Sequence, residues 1–153
     1  MADDEESWNP FPIEADNVRA FALSLGDTNP VYWDERYAKL TEVGRVIAPP
    51  TYIEARGRFN AEHYDEGMRL ASQENPTSSF LAEQHFEYHQ PIHPGDVLSI
   101  ERKTLPSWEK TGRRGGRLLF DESIFEYRDQ EGRLKVTVRH VHVSCEVLIR
   151  DEP

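Results

Sequence analysis

Between Leu23 and Ala38 the chain reads LSLGDTNPVYWDERYA, which gathers residue types suited to acid–base work: the carboxylate of Asp27, the amide of Asn29 and the phenol of Tyr32. A carboxylate in a cleft can exchange a proton with a reacting group, but it needs a partner that titrates near neutral pH. The other titratable side chain singled out here, Tyr32, belongs to a class with an unperturbed pKa near 10 that donates hydrogen bonds at pH 7. The same residues also have a purely local use. Asp27 follows the helix-ending Gly26, Asn29-Pro30 is a turn signal, and both side chains can cap a turn by accepting nearby backbone N–H groups.

Histidine is the other side chain to weigh. His85, His89, His93, His140 and His142 all fall in the second half of the chain. His89 and His93 imitate an H-x-x-x-H metal motif, but four residues along a strand at ~3.3 Å each separate them by roughly 13 Å, too far to share an ion. His140 and His142 are two apart and can share a face, yet a third ligand is missing, so no metal site is expected. Cys145 is the single cysteine; it excludes an intrachain disulfide and, within VHVSCEVLI, reads as a small apolar residue in a reducing compartment.

These side chains must be positioned by regular elements. Val18, Phe21, Ala22 and Leu25 have the i, i+3, i+4, i+7 spacing of one helix face, with Asp16 as N-cap and Gly26 in the left-handed position after the helix. Asp34 should cap a short helix in DERYAKL. Pro49 and Pro50 mark the start of a further helix over residues 50–62, because the first N–H groups of a helix have no internal partner to lose. Residues 62–79 are polar and aperiodic, and read as a long loop.

From Phe80 onward the period becomes that of strands. SFLAEQHFEYHQPI, DVLSIERKTL, RLLFDESIFEY and RLKVTVRHVHVSCEVLI, joined by glycine-bearing connections, predict an antiparallel meander. In the last of them the apolar residues switch from even positions (Leu134, Val136, Val138) to odd ones (Val141, Val143, Cys145). One face cannot hold both sets, so a β-bulge is expected near Arg139 and His140.

A helix-rich half followed by long antiparallel strands is an α+β pattern, with the sheet wrapped around one long central helix. The 153 residues suit one domain, here residues 11–153 after a flexible acidic tail over residues 1–10. A net charge of -10 argues against nucleic acid or an anionic membrane as partner, since a phosphate surface is bound by clustered cations. The one basic cluster, Arg113, Arg114 and Arg117, reads as a solvated hairpin turn, with a phosphate contact as the alternative. No stretch approaches the ~20 apolar residues of a membrane span, and the acidic N-terminus is unlike a targeting signal, so a cytoplasmic protein is expected.

Four segments in order carry a family resemblance. FALSLGDTNPVYWDERYA resembles the hydratase signature of the MaoC-like hotdog proteins, the (R)-specific enoyl-CoA hydratases and 3-hydroxyacyl-thioester dehydratases, whose motif runs G-D-x-N-P-[aliphatic]-H-x-[DN]. GRVIAPPTY resembles the start of that family's central helix, HFEYHQPIHPGDVL its strand and proline-glycine-aspartate turn, and DQEGRL the hairpin between its last two strands. The segments span residues 14–149, and are most similar to the N-terminal dehydratase-like branch. The resemblance implies a hotdog fold in which an Asp and a His activate one water for addition across a trans-2-enoyl thioester. It implies that amide N–H groups at the central helix start hold the enolate oxygen, and that no metal or redox cofactor takes part.

Carried over residue by residue, Asp27 and Asn29 match and Tyr32 occupies the position of the catalytic His. Pro50, Thr51 and Tyr52 form the helix start that would meet substrate, but Ala48-Pro49-Pro50 replaces the family's A-H-G and Pro50 supplies no N–H. Loss of a general acid/base costs a factor of about 10² to 10⁴ and loss of one oxyanion donor about 10² to 10³. The resemblance therefore implies a subunit of an enoyl-thioester hydratase or 3-hydroxyacyl-thioester dehydratase whose own site is degenerate and completed by a partner. The substrate would be an acyl-CoA or acyl-carrier-protein thioester, the assembly a homodimer or a heterodimer with a second hotdog chain. Two alternatives stand beside it: an active homodimeric hydratase using Asp27 with Tyr32 or a sheet histidine, and an acyl-thioester binding module without catalysis.

Overall fold

The computed structural model of the chain describes residues 6–55, 78–112 and 116–145. Five antiparallel strands form one sheet: β1 (Glu6–Pro12), β2 (Ser78–Tyr88), β3 (Val97–Thr111), β4 (Arg117–Arg128) and β5 (Leu134–Cys145), in the order β1-β3-β4-β5-β2. Only β3, β4 and β5 are a meander. The expected four-strand meander is corrected at β2, which lies beyond β5 because residues 89–96 form an open crossing over the end of the sheet instead of a tight hairpin. The expected tail over residues 1–10 is also too long: Glu6–Pro12 pairs with β3, from Glu6 opposite Arg102 to Pro12 opposite Val97. Acidic composition hid that strand, whereas the backbone of β3 pairs with it on both sides of an irregularity between Trp8 and Phe11.

α1 spans Ala15–Ser24 and buries Val18 and Ala22, two of the residues on its predicted face. Leu25 lies past the end of the helix and is exposed. The N-cap is Glu14, with Asp16 inside the first turn, where a negative charge suits the helix dipole. α2 is a single turn, Glu35–Ala38, capped as predicted by Asp34, whose Oδ1 accepts from the N–H groups of Arg36 and Tyr37 at 2.8 and 3.0 Å.

The helix expected over residues 50–62 is described only at its start. Tyr52–Ala55 is a 3-10 turn, with Tyr52 N–H donating to Pro49 O at 2.9 Å; residues 56–62 lie outside the described residues, as does most of the expected 62–79 loop. Arg113 and Arg114 lie outside them as well, while Arg117 opens β4 and pairs with Glu109 at 3.6 Å. The larger of two apolar clusters lies on the concave side of the sheet. Tyr52 and Ile53 sit in it beside Val18 of α1, Phe11 of β1 and the inward row Leu98, Ile100, Phe125, Tyr127, Val136 and Val138. Tyr52 stacks on Phe11 with ring centroids 5.8 Å apart and meets Phe21 edge-on at 5.5 Å.

No bulge interrupts β5 near Arg139 and His140. Its pairing with β4 is unbroken from Val136 opposite Tyr127 to Cys145 opposite Leu118. The extra residue is Ala82 on the neighbouring strand β2, between Leu81 opposite His142 and Glu83 opposite Val141. Val136 and Val138 face the core, and one residue out of phase Val141 and Val143 face the other side of the sheet, where Val143 lies between Phe120 of β4 and Phe80 of β2. The apolar set changes face because the outer surface of the sheet is partly covered too. The one shift of β5 against β4 lies nearer its start, where Lys135 is the extra residue between Leu134 opposite Arg128 and Val136 opposite Tyr127.

Candidate functional site

The loop after α1 is set by its glycine. Gly26 has φ of 73°, the left-handed conformation that side-chain-bearing residues adopt only with strain, and its N–H donates to Leu23 O at 3.0 Å. The chain then reverses, Asp27 N–H donating to Ala22 O at 3.0 Å. Asp27 Oδ1 accepts from the Asn29 N–H at 3.0 Å, and Asn29 Oδ1 accepts from the Val31 N–H at 3.1 Å, capping the 3-10 turn Pro30–Tyr32. Both carboxylate and amide thus perform the local capping that their types predicted.

The structure brings Tyr32 close to Asp27, with Asn29 in the turn between them. The Tyr32 phenol is half-buried, packed against the concave core on one side and the smaller cluster of Val31, Ala38 and Val46 on the other. Burial, then the Asp27 charge, then a side-chain hydrogen bond with Asp27 push the Tyr32 pKa above its ordinary value of 10.0. A phenol harder to ionise than usual is a still poorer proton acceptor at neutral pH. Tyr32 can donate to Asp27 and hold it in place; it cannot activate a water for it.

The second half of the expected site is the helix start. Pro50 and Thr51 are exposed there, while the Tyr52 side chain is fully buried and its pKa is pushed up to about 12 by burial and by Glu14. The Tyr52 amide is engaged with Pro49 O, which leaves the Thr51 amide as the donor to hand among the described residues. Tyr52 is therefore a core residue, a correction to its expected place against substrate. Beside this turn lies a cavity of ≈ 250 Å³ whose walls include Ile47, Ala48, Pro50, Tyr88, Pro91 and Ile92. Tyr88 Oη donates to Pro50 O at 3.0 Å across its mouth.

The histidines go elsewhere. His93 Nδ1 bonds Val46 O at 2.8 Å, His89 Nε2 meets Thr137 Oγ1 at 2.9 Å, and His140 Nε2 meets Gln84 Nε2 at 2.8 Å and lies 3.8 Å from Glu54 Oε1. His140 and His142 share the concave face, with ring centroids 6.0 Å apart. Among the described residues no group of three His, Cys, Asp or Glu side chains is placed to hold a metal ion, and no helix is long and apolar enough to cross a membrane.

Sequence reasoning missed a buried ionic cluster beside the cavity. Lys135 is 3% exposed; its Nζ lies 3.4 Å from Asp96 Oδ2 and from Asp129 Oδ2, and donates to Pro91 O at 3.1 Å. Asp129 also accepts from Arg133 Nε at 2.8 Å and from two backbone N–H groups, so its carboxyl is held well below the usual range although burial opposes this. The turn sequences HPGD and DQEG were legible as turns. Nothing in the sequence tied Lys135, an odd-position residue in a strand, to both of them.

Residues 6–138 match the model of the family described as FAS1-like, dehydratase domain region. A probable enoyl-CoA hydratase alpha subunit of Thermomonospora curvata is 32% identical over 140 residues, which cover 84% of this chain and 43% of that protein. The chain thus spans less than half the length of that curated relative. The solved MaoC-like dehydratase of Rhodospirillum rubrum superposes with a TM-score of 0.67 at 20% identity, covering 95% of this chain and 92% of the other. The ChsH1-ChsH2 complex of Mycobacterium tuberculosis gives 0.73 at 15% identity, with 90% and 83% covered. These likenesses show the hotdog fold.

Proposed function

The chain belongs to the FAS1-like dehydratase-region family, and from that premise we propose that it is one subunit of an enoyl-thioester hydratase or 3-hydroxyacyl-thioester dehydratase completed by a second hotdog chain. The observation that carries this reading is the Tyr32 phenol beside Asp27, its pKa raised, in the position where the family signature has an imidazole. Hydration adds the oxygen of water to Cβ of the enoyl thioester and a proton to Cα. The water must lose a proton as it attacks, and neither Asp27 alone nor a neutral phenol is suited to collect it. The partner chain supplies the imidazole; this chain supplies walls, an enolate donor at Thr51 and the other half of the acyl channel.

Two features support a paired assembly. The curated relative is named as an alpha subunit and one structural neighbour is a two-component complex. The outermost strand β2 also presents an edge unpaired among the described residues, with Phe80 57% and Leu81 47% exposed, a template for another strand. The thioester would be carried on coenzyme A or a carrier protein, in the reducing cytoplasm.

The test is hydration of trans-2-enoyl-CoA by the chain alone and mixed with a hotdog chain bearing the full signature. The expected result is turnover only in the mixture; a lone chain that turns over sinks the proposal. That second outcome belongs to an active homodimer, for which the one favourable observation is His140 near Glu54 on the 3-10 turn Tyr52–Ala55. Saturable acyl-CoA binding without turnover under any pairing would instead make the chain a binding module.

A further inference from the structure

We infer that Lys135 is a positioning residue for the cavity at the helix start, fixing the wall that the acyl thioester would meet; the ligand part of this rests on the proposed function. Lys135 holds the crossing between β2 and β3 from two sides. Its backbone O accepts the N–H groups of His89 at 2.9 Å and Gln90 at 3.2 Å, and its Nζ donates to Pro91 O at 3.1 Å. The next residue, Ile92, accepts from Ala48 N–H at 2.8 Å, so the opposite wall, Ile47 to Pro50, is aligned on a segment that Lys135 has already fixed.

The ammonium donates to Pro91 O and lies within ion-pair distance of two carboxylates, at Asp96 Oδ2 and Asp129 Oδ2. Each carboxylate is itself anchored. Asp96 Oδ2 accepts the His93 N–H at 3.0 Å at the end of the same crossing, and Asp129 sits in the β4–β5 turn with Arg133. The cluster of Lys135, Arg133, Asp96 and Asp129 is therefore neutral as a whole, and it ties two turns and one cavity wall to a single buried nitrogen. An apolar residue at position 135 would pack the strand equally well, but it would leave Pro91 O without its donor and the crossing free to shift relative to Ala48.

Lys135→Met alone strands a buried carboxylate and destabilises the whole fold, so the deciding variant is the charge-balanced pair Lys135→Met with Asp96→Asn. It keeps the Asp129–Arg133 pair and an oxygen at position 96 for the His93 N–H. The first readout is amide hydrogen exchange, which needs no ligand. Protection of Ala48 and Gln90 should fall at least tenfold relative to amides in the β3–β4 ladder, and an unchanged ratio overturns the inference. The second is the dissociation constant for crotonyl-CoA, with and without the partner chain. A tenfold or greater weakening is expected, and weakened protection with unaltered crotonyl-CoA binding overturns the link to the ligand. If the unmutated chain binds no crotonyl-CoA in either setting, the functional proposal fails while the exchange ratio still decides whether Lys135 positions the wall.

Discussion

Two polar regions of this molecule contain similar chemistry used in opposite ways. Around Lys135, charged groups are enclosed and matched: a 3% exposed ammonium meets two carboxylates and a carbonyl. In the loop from Gly26 to Tyr32 the carboxylate and amide are exposed and bond mostly to backbone within a few residues of themselves. Taking charges out of water is costly unless every group finds a partner, so the first region constrains how distant segments meet. The second region costs little to form and leaves Asp27 at the surface. Its companion Tyr32 is anchored between two apolar clusters.

The largest expected break in this comparison is Lys135→Met, which removes the cation and leaves Asp96 uncompensated. Chemical denaturation should show a loss of about 3–5 kcal/mol, as for a buried pair stripped of one member. Next comes Tyr32→His, which places an imidazole beside Asp27. If the phenol is what silences the loop, turnover of trans-2-enoyl-CoA by the lone chain should rise by roughly 10² or more. No gain would mean that the missing donor at Pro50 is the greater fault. Asn29→Ala removes the cap on Val31 N–H and should cost about 1 kcal/mol in the same denaturation experiment, far less than the change at Lys135.

The smallest effect is a pH dependence. Burial, then His140 and Arg102, hold the His142 pKa below its usual value, with Asp121 opposing. The folded state therefore resists protonation more than the unfolded chain does. Its contribution to stability is complete above the ordinary histidine pKa near 6.5 and is lost as pH falls through the lower folded value. Melting temperatures between pH 7.5 and 5.5 should show a decline that His142→Gln makes shallower; an identical decline in the variant would assign it to other groups.

Much of the fold was legible because local rules act within a few residues. Gly26 and Asp34 do what their types predict at the ends of α1 and α2, and period-two patterns found β2 to β5. β1 was hidden because Glu6–Pro12 is a strand only by virtue of the edge of β3. The expected bulge in β5 failed because the pattern records which residues are apolar, not how many faces of a sheet are covered. In the candidate site, the capping of nearby backbone by Asp27 and Asn29 was legible from types and spacing, while the burial of Tyr52 was not.

The sequence by itself determined the phenol at position 32, the proline without an N–H at position 50, and the order of helix and strand segments, because these are properties of single residues and short periods. Tertiary structure alone decided that β2 lies beside β5, that the Tyr32 phenol is pushed further from ionising, and that Lys135 joins two turns 30 or more residues apart in the chain. Burial and charge pairing depend on what comes near in space. A chain of side-chain types carries that information only once it has folded.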